Sequence, residues 1–310
     1  MQGGDVCRGL QLWTVLDRIR LELVDDRGGP SRVLVETYRR WLTQGGVDIV
    51  LGPYGSGAVR RVVTEVALGE KLLWNHGGAS DDLIRPLVVM VPAPASSYLT
   101  GVVRLANDRG IGDLVIGRGR GRFARHVTEG AQQEADRLGI GVTIVNMVRG
   151  TLTSGRDVGV LVVGSFEEDV ASVRRIRQSG YEPALLACIA AGVPQFGARL
   201  GEAAEGVVGP SQWLASSASP GVGPSGAYFD KAYREMFGVA PSYVAAQAAA
   251  TGFLAAAAER EGISPVEVQR WRTSTLLGAF ALDDRWCQVG HRVSLVEWRG
   301  GRLAPVTTTR

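Results

Sequence analysis

The 310-residue sequence lacks the patterns that mark a metalloprotein, a membrane protein or a nucleic-acid-binding protein. Its three cysteines, Cys7, Cys188 and Cys287, have no CxxC spacing and no nearby histidine, which argues against a metal site. No run approaches the roughly 20 apolar residues that a membrane span needs. The net charge of +3 is small and gives no support to a nucleic-acid partner. We therefore predict neither a bound metal nor a cofactor.

Catalytic signatures are also missing. No GxSxG, HExxH, SxxK or Walker pattern occurs. His126 and His291 have no matched serine, cysteine or carboxylate neighbour in the sequence. Glu167, Glu168 and Asp169 follow a predicted strand, where acidic residues more often favour the start of a helix than carry acid–base chemistry. We therefore predict that the protein is not an enzyme.

Short apolar or β-branched runs alternate with runs that carry apolar residues at helical spacing. This alternation is typical of βαβ units and predicts an α/β protein with doubly wound parallel sheets, in two lobes of ordinary size. The predicted strands are Ile19–Val24, Val47–Gly52, Lys71–Asn75, Asp113–Gly117, Gly141–Val145, Val158–Gly164, Ala184–Cys188 and Gly206–Gly209. The predicted helices are Pro30–Gln44, Ala58–Leu68, Ser96–Arg109, Phe123–Leu138 and Glu167–Ser179. The Pro/Ser/Gly-rich stretch 210–224 is predicted to be a loop that crosses between the lobes.

The segment Ile49–Leu83 carries the most information about function. It has the order strand, Gly-rich turn with a serine, helix, strand, second Gly-rich turn. We expect the hydroxyls of Ser56 and Ser80, with nearby backbone N–H groups, at the sheet edge where open α/β sheets bind ligands. Serine is also typical of helix N-caps, and the two roles are compatible.

Four stretches resemble, in the same order, the solute-binding family of the leucine/isoleucine/valine-binding protein of ABC transporters. They are GPYGSG with NHGGAS inside Ile49–Leu83, GEAAEG at 201–206, FDKAYREMFGVAP at 229–241 and GHRVSLVEWRGGRLAPV at 290–306. The resemblance implies the type I periplasmic-binding-protein fold, in which a three-strand hinge joins two lobes around a ligand cleft. Lobe one would hold residues 1–98 and 224–290, and lobe two would hold residues 99–223 and 291–310.

Two departures from the family pattern lead to further expectations. Family members open with a strand before the first helix, but this chain starts at MQGGDVCRGLQLW, which already resembles that helix. We therefore expect the N-terminal strand of lobe one to be missing. The segment Val148–Gly159 is too short for the helix that the family has between the corresponding strands of lobe two.

The resemblance also implies which residues bind the ligand. In the amino-acid binders of the family, a serine and a threonine from the two lobe-one turns hold the α-carboxylate. Ser56 matches the serine, and the threonine position falls on Ala79, with Ser80 one step later. The backbone N–H groups of Gly78 and Ala79 would still serve an anion, aided by the dipole of the helix near residue 58. His76 either donates to a ligand carboxylate or has a structural role in the turn.

In lobe two, Phe166 fits an aromatic position of the family, and Gly119 replaces a second aromatic residue. The acidic position that holds the ligand ammonium falls on Ile189, where the sequence has no carboxylate. A buried ammonium without a counter-charge is costly, so we expect an amide or a small carboxylate rather than a free α-amino acid. The candidate ligand-binding residues are Gly55, Ser56, His76, Gly78, Ala79, Ser80, Gly119, Ser165, Phe166 and Ile189.

The turn 117–124, GRGRGRFA, supports a competing hypothesis of nucleotide binding. It satisfies the GxGxxA dinucleotide fingerprint, although Asn146 stands where the fingerprint needs an acidic residue. Its arginines either meet an anion at the cleft mouth or form a solvated basic loop. These arginines are Arg118, Arg120 and Arg122.

The resemblance implies a non-enzymatic, extracytoplasmic protein, peripheral to the membrane, that takes up an amino-acid-like, amide or carboxylate ligand for an ABC permease. We expect no signal peptide in this sequence, because residues 1–9 are polar and charged residues break the apolar stretch that follows. That expectation favours an alternative, a cytoplasmic small-molecule sensor with the same fold.

Overall fold

The computed structural model describes residues 2–25, 32–43, 46–66, 69–147 and 157–306. The chain divides into two compact units, which we call unit 1 (Met1–Pro94 with Gln212–Arg292) and unit 2 (Ala95–Ser211 with Val293–Arg310). The sequence predicted crossings after residues 98, 223 and 290, whereas the units divide after residues 94, 211 and 292. The second boundary lies before its predicted position because the Pro/Ser/Gly-rich stretch belongs to unit 1. There the N–H of Val222 donates to the carbonyl of Ser274 at 2.9 Å.

The described chain alternates between helices and strands. In chain order the elements are α1 (Gln2–Asp17), α2 (Arg32–Thr43), β1 (Val50–Leu51), α3 (Ser56–Glu65), β2 (Leu73–Asn75), β3 (Val88–Met90), α4 (Thr100–Asp108), β4 (Asp113–Arg118), α5 (Arg122–Leu138), β5 (Gly141–Asn146), β6 (Gly159–Val163), α6 (Phe166–Gln178), β7 (Leu185–Cys188), α7 (Pro194–Leu200), β8 (Val208–Ser211), α8 (Gly226–Phe237), α9 (Tyr243–Glu261), α10 (Pro265–Arg270), β9 (Arg272–Thr275), β10 (Gly278–Ala281), β11 (Ser294–Arg299) and β12 (Arg302–Pro305). Short 3-10 helices lie between them. Within the described ranges, no helix is long and apolar enough to cross a membrane.

Unit 1 contains a parallel sheet of order β1-β2-β3 and the antiparallel pair β9 and β10. Its central helix is α9, in which every residue from Val244 to Ala258 is buried. A helix that is apolar all round is typical of a core element, and α1 packs along this one. The described part of unit 1 places no strand ahead of β1.

One sequence prediction for unit 1 is wrong. Ile19–Val24 was predicted as a strand, but the structure has neither helix nor strand there, and Leu23 and Val24 are exposed. A strand requires a paired neighbour, and β1 pairs only with β2 among the described strands. The prediction also missed β3, a completely buried three-residue strand. The predicted lack of a helix within Val148–Gly159 falls largely outside the described residues.

Unit 2 contains a seven-stranded sheet of order β12-β11-β8-β7-β6-β4-β5. The strands from β8 to β5 in this order are parallel, and β11 is antiparallel to both of its neighbours. All five residues of β6 are buried, as expected for a strand that helices cover on both faces. The predicted strands of this unit all form to within a few residues, so the predicted α/β class is confirmed.

The packing of α1 on α9 gives a first testable prediction. A Cβ atom at Gly9 would collide with the backbone carbonyl of Ala245, whereas a Cβ atom at Gly4 meets open space. We expect Gly9→Ala to lower the free energy of unfolding by about 2 kcal/mol, because two helix backbones must separate. Gly4→Ala in the same helix should raise it by about 0.5 kcal/mol through helix propensity. Urea unfolding of both variants tests this, and equal stabilities would contradict the close approach of the two helices at Gly9.

Candidate functional site

The first turn of unit 1 connects β1 to α3. Gly55 has a φ of 98°, which favours glycine, and its N–H donates to the carbonyl of Gly77 at 2.9 Å. Ser56 is the first residue of α3, and its Oγ accepts a hydrogen bond from the N–H of Ser80 at 3.2 Å. Two hydrogen bonds therefore join the first turn to the second, as the shared sheet edge predicted.

Neither serine acts as a side-chain helix cap. The N-cap of α3 is Gly55, and no side-chain capping bond forms there. Ser80 precedes the 3-10 helix Asp81–Leu83, but its Oγ donates to Asp82 Oδ1 at 2.7 Å instead of capping. The capping alternative therefore does not account for these serines.

The second turn of unit 1 folds around Asn75, the last residue of β2. Asn75 is completely buried, and its Oδ1 accepts the N–H groups of Gly77 at 3.2 Å and Gly78 at 2.8 Å. Its Nδ2 donates to the carbonyl of Gly78 at 2.6 Å. The N–H of Gly78, expected to bind a ligand, is thus engaged within the turn. The sequence analysis missed Asn75, although asparagine often bonds to the backbone two residues further on.

Several hydrogen-bond donors remain at this edge. The N–H groups of Ser56 and Gly57 open α3 and have no acceptor within the helix. The N–H of Ala79 donates to no backbone acceptor among the described residues. Ser56 is half-buried and Gly57 is exposed, so a solute can approach this helix start. The helix dipole adds partial positive charge at the same point.

His76 belongs to the framework of the second turn. Its side chain is 3% exposed, and its ring hydrogen-bonds to the backbone of Gly52. Burial lowers the pKa of His76 to about 4, against the bond to Gly52, which raises it. Its carbonyl accepts a hydrogen bond from Gln247 Nε2 of α9. This geometry favours the structural role over direct ligand contact.

An ion pair fixes the second turn to α3. Arg60 Nε donates to Asp82 Oδ2 at 2.7 Å, and Arg60 Nη2 donates to Asp82 Oδ1 at 2.8 Å. Arg60 Nη2 also lies 3.3 Å from Ser80 Oγ. A bidentate pair of this kind holds both partners in one geometry. The hydroxyl of Ser80 is therefore part of this cluster rather than directed at a ligand.

In unit 2, the turn after β6 begins α6. Ser165 forms a capping box with Glu168, in which Ser165 Oγ accepts the Glu168 N–H at 3.3 Å and Glu168 Oε2 accepts the Ser165 N–H at 2.8 Å. The hydroxyl of Ser165 thus has a structural role. Phe166 follows at the first position of α6 and is partly exposed, which leaves its ring accessible.

Gly119 lies where the turn after β4 approaches the turn after β6. Its N–H donates to the carbonyl of Val163 at 2.7 Å, and a Cβ atom there would lie 3.0 Å from the Cα of Gly164. Glycine therefore allows the two turns to pack closely.

Ile189 follows β7, and the structure corrects the expectation that no carboxylate lies near it. Asp169 Oδ2 accepts the N–H of Ala190 at 2.9 Å, and Asp169 Oδ1 accepts the N–H of Gly164 at 2.8 Å. Burial raises the pKa of Asp169 to about 8, although the backbone donors lower it. The sequence analysis missed this contact because it depends on the pairing of β6 with β7.

The turn between β4 and α5 has the strand, turn and helix order of a dinucleotide site. However, β5 ends at Asn146, so the acidic residue of the fingerprint is missing. Arg118 and Arg120 are exposed, and neither has an ion-pair partner among the described residues. No cluster of three or more histidine, cysteine or acidic side chains in the described ranges is placed to hold a metal.

The predicted residues therefore form two groups, one in each unit. Those of unit 1 lie on the paired turns after β1 and β2, and those of unit 2 lie on turns at the carboxyl ends of β4, β6 and β7. The sequence profile described as periplasmic binding protein matches residues 17–273. The chain belongs to this family. The resemblance carried by the four motifs is confirmed, and the fold is that of the type I periplasmic binding proteins.

Solved structures of ligand-binding proteins show the same fold at low identity. The leucine-binding protein LivK of Thermotoga maritima has a TM-score of 0.82 and 16% identity, over 99% of this chain and 93% of that one. LivJ of Streptococcus pneumoniae, in complex with isoleucine, has a TM-score of 0.80 and 16% identity, over 98% of this chain and 94% of that one. A solute-binding protein of R. palustris, in complex with benzoate, has a TM-score of 0.75 and 13% identity, over 98% of this chain and 91% of that one. No curated protein has a significant sequence match to the chain.

Proposed function

We propose that this protein binds a small amino-acid-like, amide or carboxylate solute, without transforming it, for import by an ABC permease. The observation that carries this proposal is the set of donors at the carboxyl edge of the unit 1 sheet. The hydroxyl of Ser56 and the N–H groups of Ser56, Gly57 and Ala79 lie on turns that are joined to each other. Backbone donors at a helix start favour an anionic group such as a carboxylate.

The electrostatics of these turns support an anion rather than a cation. Asp82 accepts from Arg60 through both carboxylate oxygens, so its charge is already balanced. His76 stays neutral near pH 7 because burial lowers its pKa to about 4. The positive end of the α3 dipole lies at the same turns. A carboxylate or a polarised amide oxygen is the complementary ligand group.

Within unit 2, Phe166 is the proposed apolar contact for a solute, because it is partly exposed at the start of α6. Binding would favour whichever form of the protein has the higher affinity for the solute. Family membership supports a non-enzymatic role, a location outside the cytoplasmic membrane and delivery to a permease. In this proposal, solute capture and release are the functional events.

Ser56→Ala tests the proposed anion site. A thermal-shift screen of amino acids, amides and carboxylic acids first identifies a stabilising class, because a ligand at 100 times its Kd stabilises the fold by about 2.7 kcal/mol. For that class, we expect Ser56→Ala to weaken binding by about tenfold, since a hydrogen bond to a charged group is lost. Isothermal titration calorimetry measures the change.

The matched control is Ser225→Ala. Ser225 also accepts a backbone N–H, that of Tyr228, at 3.2 Å, but it does so at the start of α8. This variant loses the same kind of hydrogen bond and should keep the parent affinity. If no compound class shifts the melting temperature, or if the two variants bind equally well, the proposed site is wrong.

A further inference from the structure

Acidic side chains are concentrated at the carboxyl edge of the unit 2 sheet, where they open α6, but each is already engaged. Glu167 accepts from Arg199 Nη1 and Nη2 through its two carboxylate oxygens, both at 3.0 Å. Glu168 Oε2 accepts the N–H of Ser165 at 2.8 Å in the capping box. These two carboxylates therefore stabilise the start of the helix and its neighbours.

Asp169, the third acidic residue, is completely buried. Its two oxygens accept the N–H groups of Gly164 and Ala190, so it ties the end of β6 to the end of β7. A side chain with no exposed surface cannot pair directly with a solute on this edge. Asp169 is a positioning residue for the two turns and not a counter-charge.

Of two other turns at this edge, the one after β4 supplies positive charge and the one after β7 supplies no negative charge. The residues that follow β7, from 189 to 201, contain no acidic residue. The turn after β4 contains Arg118 and Arg120, both exposed and without an acidic partner among the described residues. Arg118 is the last residue of β4 and pairs in register with Val163 and Asn146, so its backbone lies at the carboxyl edge. On these described turns, the unpaired charge is therefore cationic.

Among the described residues of this edge, an ammonium group would find no carboxylate that is both exposed and unpaired, and it would face like charge. Burying it unpaired is costly, whereas a guanidinium group favours a carboxylate or a neutral polar group. In unit 1, Asp82 is likewise engaged by Arg60. We infer that the solute is a carboxylic acid without an ammonium group, and that Arg118 contributes to its recognition. This inference rests on the proposed solute-binding function and narrows its ligand class.

Matched pairs of compounds test the ligand class. The pairs are 4-methylpentanoate with leucine, and 3-phenylpropanoate with phenylalanine, which differ only by the ammonium group. Benzoate and glutarate extend the acids to an aromatic ring and a second carboxylate. We expect the acids to raise the melting temperature and to bind at least about tenfold more tightly than the matched amino acids.

The outcomes separate this inference from the proposed function. Equal or tighter binding of leucine or phenylalanine would overturn the amine-free class and leave solute binding intact. If no acid, amide or amino acid changes the melting temperature, the proposed function fails and the inference fails with it.

Arg118→Gln tests the contribution of the arginine. We expect it to weaken binding of the preferred acid by about tenfold, because a charge-assisted hydrogen bond is lost. The control is Arg109→Gln, since Arg109 is also exposed but precedes β4 at the opposite end of the strand. Arg109→Gln should bind as the parent does. Equal affinities of the two variants would overturn the role of Arg118.

Discussion

Replacement of Asn75 by leucine is expected to lower the free energy of unfolding by about 4 kcal/mol and to remove solute binding. Leucine has the same number of side-chain heavy atoms but a larger volume, so no cavity forms, and the effect comes from lost hydrogen bonds together with overpacking at a completely buried position. The change leaves the N–H groups of Gly77 and Gly78 and the carbonyl of Gly78 without the partner that they have in the parent. Each buried polar group left unsatisfied costs about 1 to 3 kcal/mol.

The loss of binding follows from the same contacts. Asn75 shapes the turn that holds Ala79 and Ser80, and the N–H of Ser80 donates to Ser56 Oγ. When the turn rearranges, the N–H of Ala79 and the hydroxyl of Ser56 lose their relative positions. A small displacement of groups that must act together is enough to lose most of their binding energy. Asn75 is thus a positioning residue whose effect is transmitted through Ser56 and Ala79.

Urea unfolding and calorimetric titration measure the two effects of Asn75→Leu. The control is Asn107→Leu on the exposed surface of α4, which should change stability by less than about 0.5 kcal/mol and leave affinity unchanged. A loss below about 1 kcal/mol at Asn75 would mean that water or a rearranged backbone satisfies the turn. If a folded Asn75→Leu variant binds the solute as tightly as the parent does, this turn is not part of the binding site.

The local order of unit 1 was predictable because turn chemistry lies in adjacent residues. GPYGSG and NHGGAS each follow an apolar run, and small residues at strand ends predict turns at one sheet edge. The structure joins these turns through Gly55 and Ser56, as that reasoning requires. The same local reasoning identified the start of α6, where acidic residues and Ser165 form a capping box.

Contacts between distant residues were not predictable from the sequence. The bond from Ala190 to Asp169 spans 21 residues and depends on β6 lying beside β7. The bond from Gln247 to the carbonyl of His76 depends on the position of α9 against β2. The apolar alternation of Ile19–Val24 fits a strand, but strand formation depends on a partner that the segment itself does not specify. The ligand-contacting residues of both units remain predictions.

Lowering the pH from 7.5 to 5 is expected to destabilise unit 1 through two buried histidines. Burial lowers the pKa of His76 to about 4 and that of His291 to about 4, the latter against hydrogen bonds to the backbone of Leu277 and Gln212. An unfolded histidine has a pKa near 6.5, so below that pH the unfolded chain binds protons that the folded chain does not. The stabilisation is complete above pH 6.5 and is lost as the pH falls towards 4.

At pH 5, the expected loss in the free energy of unfolding is about 2 kcal/mol for each histidine, or about 4 kcal/mol for both together. Asp169 acts in the opposite direction, because its folded pKa is raised to about 8 and its protonation on acidification stabilises the folded state. A single pH profile of the parent therefore mixes the two contributions. Comparison with variants that lack one or both histidines separates them, since the contribution of Asp169 is the same in each.

Between pH 7.5 and pH 5, the free energy of unfolding should fall by about 2 kcal/mol less in His76→Gln or in His291→Gln than in the parent. In the double variant it should fall by about 4 kcal/mol less than in the parent. Urea unfolding at the two pH values gives these differences directly. His126→Gln is the control, because it removes a histidine from α5 in unit 2. If the parent and the double variant respond equally to pH, the two rings are protonated in the folded protein, and the framework role of His76 would be wrong.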